Sequence, residues 1–434
     1  MDTKVNLVGT NLVEGSPLIS IDDDAQVHIS NGLISRSGGA EPLIRINAMA
    51  MVSISSTSIM DSSSNCIEIQ QGELSISNSE IKNCADDGIW ARSSLIYLQD
   101  VTVDDNVTLE GVDGGIYGLE ANAVSASNLD GFNMEDMKLG YLSGIDNREI
   151  IVEGLDVSGS PAVDFDNTAG SISDFTIDCG GSGIGVTSHH GRASSSMMYS
   201  DGAISSCTKG IDLHTDGESS PLILDDVDIS ASVAISSDGN PVIAHAGSMV
   251  GSVDIDNSRA DLYDVEPTVM TVSGGEIMVW STHIVNTVLG GASIETNIEV
   301  VVEGNVLGSW KTTTFGSSVV ISIPHILVNE NGSETYDMAM IKAETSSLPV
   351  MVSDYEIGLE KEDIITIQLI PNQAPSAEII IPDEGHRAME TEVIEIRALI
   401  SDDLDSNEEL EIEWNVVVGQ TSVMQLFGEW NNVT

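Results

Sequence analysis

Between about Val52 and Val285 apolar and polar residues alternate in short runs. An apolar-x-apolar triplet with Ser, Thr or Asp in the middle appears as Leu74-Ser75-Ile76, Val101-Thr102-Val103, Leu155-Asp156-Val157, Phe175-Thr176-Ile177, Val227-Asp228-Ile229 and Val253-Asp254-Ile255. A polar turn follows, then a second short strand, usually after Gly or a small residue: Gly88-Ile89-Trp90-Ala91, Ala162-Val163-Asp164-Phe165, Gly183-Ile184-Gly185-Val186, Gly210-Ile211-Asp212-Leu213 and Val233-Ala234-Ile235. Alternation with a period of two is the pattern of a strand with one buried face. None of these strands is long enough to stand alone, and the motif returns roughly every 20 to 28 residues.

Such strands become stable when the chain coils and each pairs with its counterpart in the next turn, about 4.8 Å away, with alternate side chains inward. The pattern therefore predicts a parallel β-helix of roughly ten to twelve coils, about 50 to 60 Å long. A sandwich also uses many short strands, but without a motif that returns in phase. The cysteines agree on the phase: Cys84, Cys179 and Cys207 each follow an Ile (Ile81, Ile177, Ile204) by two or three residues and precede a Gly-Ile pair. Cys66 with Cys84, and Cys179 with Cys207, fall on neighbouring coils, where Cα atoms stack within the roughly 4.4 to 6.8 Å a disulfide needs. A reduced stack of small buried residues is the favoured reading and two disulfides the alternative; no C-x-x-C pair points to metal.

Charge narrows the partners. Asp and Glu number 69 against 15 Lys and Arg, a formal net charge of -54. Such a surface repels phosphate, so nucleic acid is excluded as a partner and anionic lipid is unfavourable unless a divalent cation bridges. Calcium becomes a natural counterion for clustered carboxylates, although solubility in salty media explains the same excess. Hydrophobic residues make up 41% of the chain and aromatics 4%, so the apolar content is aliphatic, as thin stacked β-structure requires. No run approaches the roughly 18 apolar residues of a membrane span, and Met1-Asp2-Thr3-Lys4-Val5-Asn6 lacks the pattern of a signal peptide. A secreted or cell-surface protein of which this chain is a fragment is the expectation.

The wording Ile-x-Asn-Cys-x-x-x-Gly-Ile at Ile81 to Ile89 resembles the right-handed parallel β-helix repeat of pectate-lyase-like and many surface proteins, over about residues 50 to 290. That resemblance implies a right-handed coil. It leaves activity open, since the same repeat serves lyases, hydrolases, epimerases, tailspikes and catalytically silent adhesins.

Composition shifts after Gly290-Gly291. Longer alternating strands begin at Ile298-Glu299-Val300-Val301-Val302 and Val319-Val320-Ile321-Ser322-Ile323, the latter ended by Pro324, and continue at 336–343 and 364–369. With Thr312-Thr313-Thr314-Phe315-Gly316, this stretch is similar to carboxypeptidase-regulatory-like domains. After the turn-rich Pro371-Asn372-Gln373-Ala374-Pro375, the strands at 377–382, 393–398 and 410–414 resemble the start of a PKD or immunoglobulin-like module. The expected fold class is all-β: a single-stranded right-handed parallel β-helix over 1–290, a β-sandwich over 291–371 and a partial PKD/immunoglobulin-like sandwich over 372–434.

Candidate chemistry is sparse. Asp402, Asp403 and Asp405 form an oxygen-rich loop that could hold calcium, which takes six to eight such ligands; an acidic solvated turn is the plainer account, and no other cofactor is required. A lyase needs a basic residue beside carboxylates, and the groupings to examine are Arg92 near Asp86-Asp87 and Lys209 near Asp212 and His214, each of which also reads as a surface ion pair. Asp225-Asp226 and His189-His190-Gly191-Arg192 are fragments of a polygalacturonase-like vocabulary without its remaining elements, and the His pair reads as a protruding turn. Gly114-Gly115, Gly180-Gly181 and Gly290-Gly291 read as bends, and sequons stand at Asn106, Asn331 and Asn432. The function expected is a non-enzymatic structural or adhesive protein presenting a flat face to extended polymers such as glycans or to a cell-envelope partner. A polysaccharide lyase or glycoside hydrolase, and a calcium-dependent envelope or lattice component, are the alternatives.

Overall fold

The computed structural model describes residues 4–15, 17–37, 39–190, 196–215, 220–345, 351–358, 364–371, 376–381, 397–401, 412–418 and 421–428. Every regular element among them is a β-strand. They fall into two compact units: Met1–Thr282 with Gly304–Gly308 and Ser322–Asp337, and His283–Glu303 with Ser309–Ile321 and Met338–Thr434.

The first unit is a β-helix with three strands per turn. In one turn these are Met51–Ser55, Ser58–Ser62 and Ile67–Gln70. In the next turn 73–77 pairs parallel with the first, 80–84 with the second and 89–92 with the third. The same stacking reaches upstream to Lys4–Val8, Asn11–Gly15 and Ile19–Ile21, and downstream to the strand Glu276–Leu289. The sequence pattern names two strands per turn, and the structure corrects this. Leu74-Ser75-Ile76 belongs to the first face, the triplets at 101, 155, 175 and 227 to the second, and Val253-Asp254-Ile255 to the third.

Inward residues form columns at the rung spacing. On the first face Ile29, Ile54, Ile76, Leu98, Ile116, Met134, Val152 and Ile172 stack in register, and all are buried. Burying each such side chain stabilises the fold by about 1.5–3 kcal/mol. The aliphatic composition follows from this geometry, because each first-face rung offers only two inward slots, as Leu74 with Ile76 and Ile96 with Leu98 show.

Corners decide where the chain turns from one face to the next. Between the first and second faces a single residue takes positive φ in turn after turn: Asn31, Ser56, Asn78, Asp100, Gly118, Asp136, Gly154, Asp174, Asp201 and Asp226. Asn and Asp tolerate this left-handed conformation through local hydrogen bonding, and Gly adopts it without steric cost. Five of these ten corner residues are Asp. The third corner adds buried polar rungs. Asn147 accepts a hydrogen bond from the Leu129 amide (2.9 Å) and donates to the Ala126 carbonyl (3.1 Å) and the Thr168 hydroxyl (3.2 Å).

A second clamp ties 304–308 to the hairpin of Ser318–Asn329 and Gly332–Thr335. The Glu334 carboxylate accepts from the amides of Asn305 (2.6 Å), Val306 (2.7 Å) and Leu307 (3.3 Å) and from the Tyr336 hydroxyl (2.8 Å). Burial pushes its pKa up, but these donors win and hold it at about 2. Ser318–Asn329 runs through Pro324 instead of ending there; a strand accommodates proline wherever the missing N–H is not called on.

The second unit holds a five-stranded antiparallel sheet built from Ser309–Gly316, Thr296–Glu303, Met338–Glu344, Met351–Gly358 and Ile370–Pro371. Ile298, Val300, Ala339, Ile341 and Ala343 line its buried face. Two small antiparallel pairs follow, Ser376–Ile381 with Arg397–Ser401 and Ile412–Val418 with Thr421–Gly428.

Two outcomes are expected. Asn147→Ala leaves buried donors and acceptors without partners and lowers unfolding free energy in urea by about 2–3 kcal/mol, against little change for the solvent-facing Ser173→Ala. The Glu334 carboxyl titrates lower in the folded chain than in the unfolded one. Its contribution is therefore full above about pH 4.5 and is lost as pH falls towards 2; Glu334→Gln lowers stability near neutrality and flattens the stability profile between about pH 4.5 and 2, where the two proteins converge.

Candidate functional site

Outward positions on the first face also stack in rows, and one row is polar and uncharged over a long run. Asn6, His28, Ser53, Ser75, Tyr97, Gly115 and Asn133 are consecutive register partners. Tyr97 and Tyr117 are about half exposed, at 47% and 46%, and lie diagonally on adjacent rungs. The position opposite Tyr97 is Gly115, so no side chain covers that side of its ring. Around this gap lies a depression of about 670 Å³, lined by Ser75, Ser77, Gln99, Asn133 and Glu135 together with the two tyrosines. Gly114 is fixed by backbone: its φ is +115°, and a Cβ there would meet the Ile96 carbonyl oxygen at 1.9 Å. Gly114 and Gly115 thus lie inside the strand Asp113–Ser127, where the sequence reading has a bend. Gly180-Gly181 and Gly290-Gly291 do turn.

The Tyr117 hydroxyl is hydrogen-bonded to Asp136, which raises its pKa; the negative charge of Asp136 adds to the effect. Asp136 is one of the left-handed corner residues, so the corner that turns the chain also orients a ring at the site.

A second aromatic row stands further along the same face. His245 and Tyr263 stack at 4.6 Å between centroids, and Tyr263 and Trp280 at 5.6 Å. Trp280 Nε1 donates to Asp261 (2.9 Å), and Arg259 bridges Asp261 (2.7 Å) and Glu276 (2.6 Å). The hydrogen bond to Asp261 is the main cause of a raised Arg259 pKa. These rings spend their faces on one another. Tyr97, with glycine beside it, does not.

The groups nominated from sequence divide. Lys209 Nζ lies 3.0 Å from both oxygens of the largely buried Asp212, and His214 Nε2 is 3.5 Å from the same carboxylate. His189 is not in a protruding turn: it sits in the strand Ile184–His190, in register with His214, with ring centroids 6.0 Å apart. Arg92 does not meet Asp86-Asp87. It pairs with Glu110 at 3.3 Å, and five extended steps of about 3.3 Å each separate it from Asp87. Asp87 is half-buried and its pKa is raised, first by burial, while Thr108 and Asn106 hydrogen-bond it; two residues of the first sequon are thus committed to a carboxylate. Asp225 lies in a first-face row and Asp226 in the corner, so this pair does not converge as an acid and base would. Asp402, Asp403 and Asp405 lie outside the described residues. Among the described residues no three His, Cys, Asp or Glu groups gather as metal ligands.

Cys66 is joined to Cys84 and Cys179 to Cys207, with Cα separations of 5.5 and 5.0 Å, in place of the reduced stack favoured from sequence. Comparison with protein-family models, with curated proteins and with solved structures finds no match.

The bonds close segments 18 and 28 residues long, each worth about 3 kcal/mol by restriction of the unfolded chain. Thiol titration of the chain unfolded without reductant is expected to find no free cysteine, and reductant to lower the melting temperature; four titratable thiols would contradict the pairing.

Proposed function

We propose that this chain is a non-enzymatic structural or adhesive protein, secreted or held at a cell surface, whose first face binds an extended glycan at the Tyr97–Tyr117 depression. The observation that carries this reading is the pair of exposed tyrosines set diagonally across Gly115 among Ser75, Gln99 and Asn133. A sugar ring has an apolar C–H face and a rim of hydroxyls. An uncovered aromatic ring takes the first, and neutral hydroxyl and amide side chains take the second, at a site formed before the ligand arrives. The depression is shallow and open, which suits a polymer that continues beyond it.

The Lys209–Asp212–His214 group supports a second reading, a polysaccharide lyase or glycoside hydrolase acting on the third face. That chemistry calls for a second carboxylate beside the base, and Lys209 meets one aspartate here. Release of cleaved ends from a panel of plant and microbial polysaccharides, absent in Lys209→Ala, tests it.

Binding to a glycan array, run with calcium and with chelator, is the test of the leading reading. Tyr97→Ala is expected to lower affinity for the best glycan at least tenfold, about 1.4 kcal/mol, without moving the melting temperature. Unchanged affinity in that variant would remove the depression as the site.

A further inference from the structure

We propose that the ligand of the first face is an uncharged linear polysaccharide lying along the coil axis and touching consecutive rungs from Asn133 back to Asn6. This inference rests on the glycan reading above and adds the class, direction and length of the ligand.

Three features of the face carry it. The Tyr97–Tyr117 depression does not end at its own rim: a second hollow of about 250 Å³, lined by Asn6, His28, Met51, Ser53 and Glu73 among others, shares Ser75 with it. Together they follow one row of register partners through seven rungs, from Asn6 to Asn133. Six intervals of about 4.8 Å make a trough of about 29 Å. The trough also has an end, because the row continues from Asn133 to Ile151, then Ser171, Met198 and Ile223, where three of the four positions are bulky and apolar.

Charge then selects the polymer. In a chain of net charge -54 the central row carries no carboxylate, and the charged residues that line the two hollows are Lys4, Glu73 and Glu135. A uronate or sulfated chain would meet the negative potential of the whole surface without a row of cations to offset it. A polymer of neutral hydroxyls meets side chains that can donate and accept at each rung. Repetition is the point: a ligand that repeats along one axis gains a similar contact from each successive rung.

Calorimetric titration tests this, using β-1,4-linked glucose, mannose and xylose oligomers of about two to eight units and oligogalacturonates of the same lengths. The expected result is affinity for a neutral series that climbs with length to about six units and then levels, as about 29 Å of trough allows. His28→Ala, an exposed change at the far end, is expected to weaken the longest oligomer about threefold to tenfold while leaving the shortest unchanged; Tyr97→Ala weakens both. Affinity that is flat beyond about three units, indifference of the longest oligomer to His28→Ala, or tighter binding of oligogalacturonates overturns the axial trough but leaves a local glycan site standing. Absence of binding to every glycan on the array removes the underlying reading as well.

Discussion

The constraint on which the rest depends is register between successive turns. Every first-face strand must place its inward residues on those of the turn before, as Ile76 lies on Ile54 and under Leu98. A slip of one residue would turn the whole aliphatic column to solvent and the polar row into the core. The chain holds register at its corners, where one left-handed residue per turn, such as Asp100, Gly118 or Asp136, spends the same angle at the same place. Buried polar rungs such as Asn147 add a check that an apolar corner would lack, since a misplaced turn would leave the Leu129 amide and the Ala126 carbonyl unbonded.

The surface inherits that order. Once inward positions are fixed in columns, outward positions fall into rows without further instruction, and residues far apart in sequence become neighbours every 4.8 Å or so. Tyr97, Gly115 and Asn133 are such neighbours, as are His245, Tyr263 and Trp280. What distinguishes one row from another is small. A glycine beside Tyr97 leaves a ring uncovered, whereas aromatic partners on both sides of Tyr263 enclose it. The corner reaches into the same chemistry, because Asp136 both turns the chain and holds the Tyr117 hydroxyl.

The coil and its phase are legible in the sequence from the triplets and from the recurrence of Ile before Cys84, Cys179 and Cys207. Two strands per turn is as far as that pattern reaches, because many first-face strands carry irregular outward residues and, at Gly114 and Gly170, have glycine at one of their two inward positions. The proposed site is harder to see. Stacked partners are unequally spaced, as the row Ser53, Ser75, Tyr97, Gly115, Asn133 shows, so no fixed period aligns Tyr97 with Gly115. Gly114-Gly115 looks like a bend when read locally, since only the neighbouring turn's Ile96 carbonyl reveals why a side chain is forbidden within a strand. Basic residues are few enough that Lys209 with Asp212 can be nominated directly, while Arg92 with Asp86-Asp87 fails because proximity along an extended strand is distance in space.

Hydroxyl-radical footprinting of the whole chain, with and without the tightest glycan found on the array, tests the central claim most directly. The account predicts that oxidation of Tyr97, Tyr117 and the exposed Met51 falls when glycan is bound, while His189 and His214 on the third face react as before. Protection of the third-face histidines with Tyr97 and Tyr117 unaffected would contradict it, and would move the binding face to the side of the coil that carries Lys209 and Asp212.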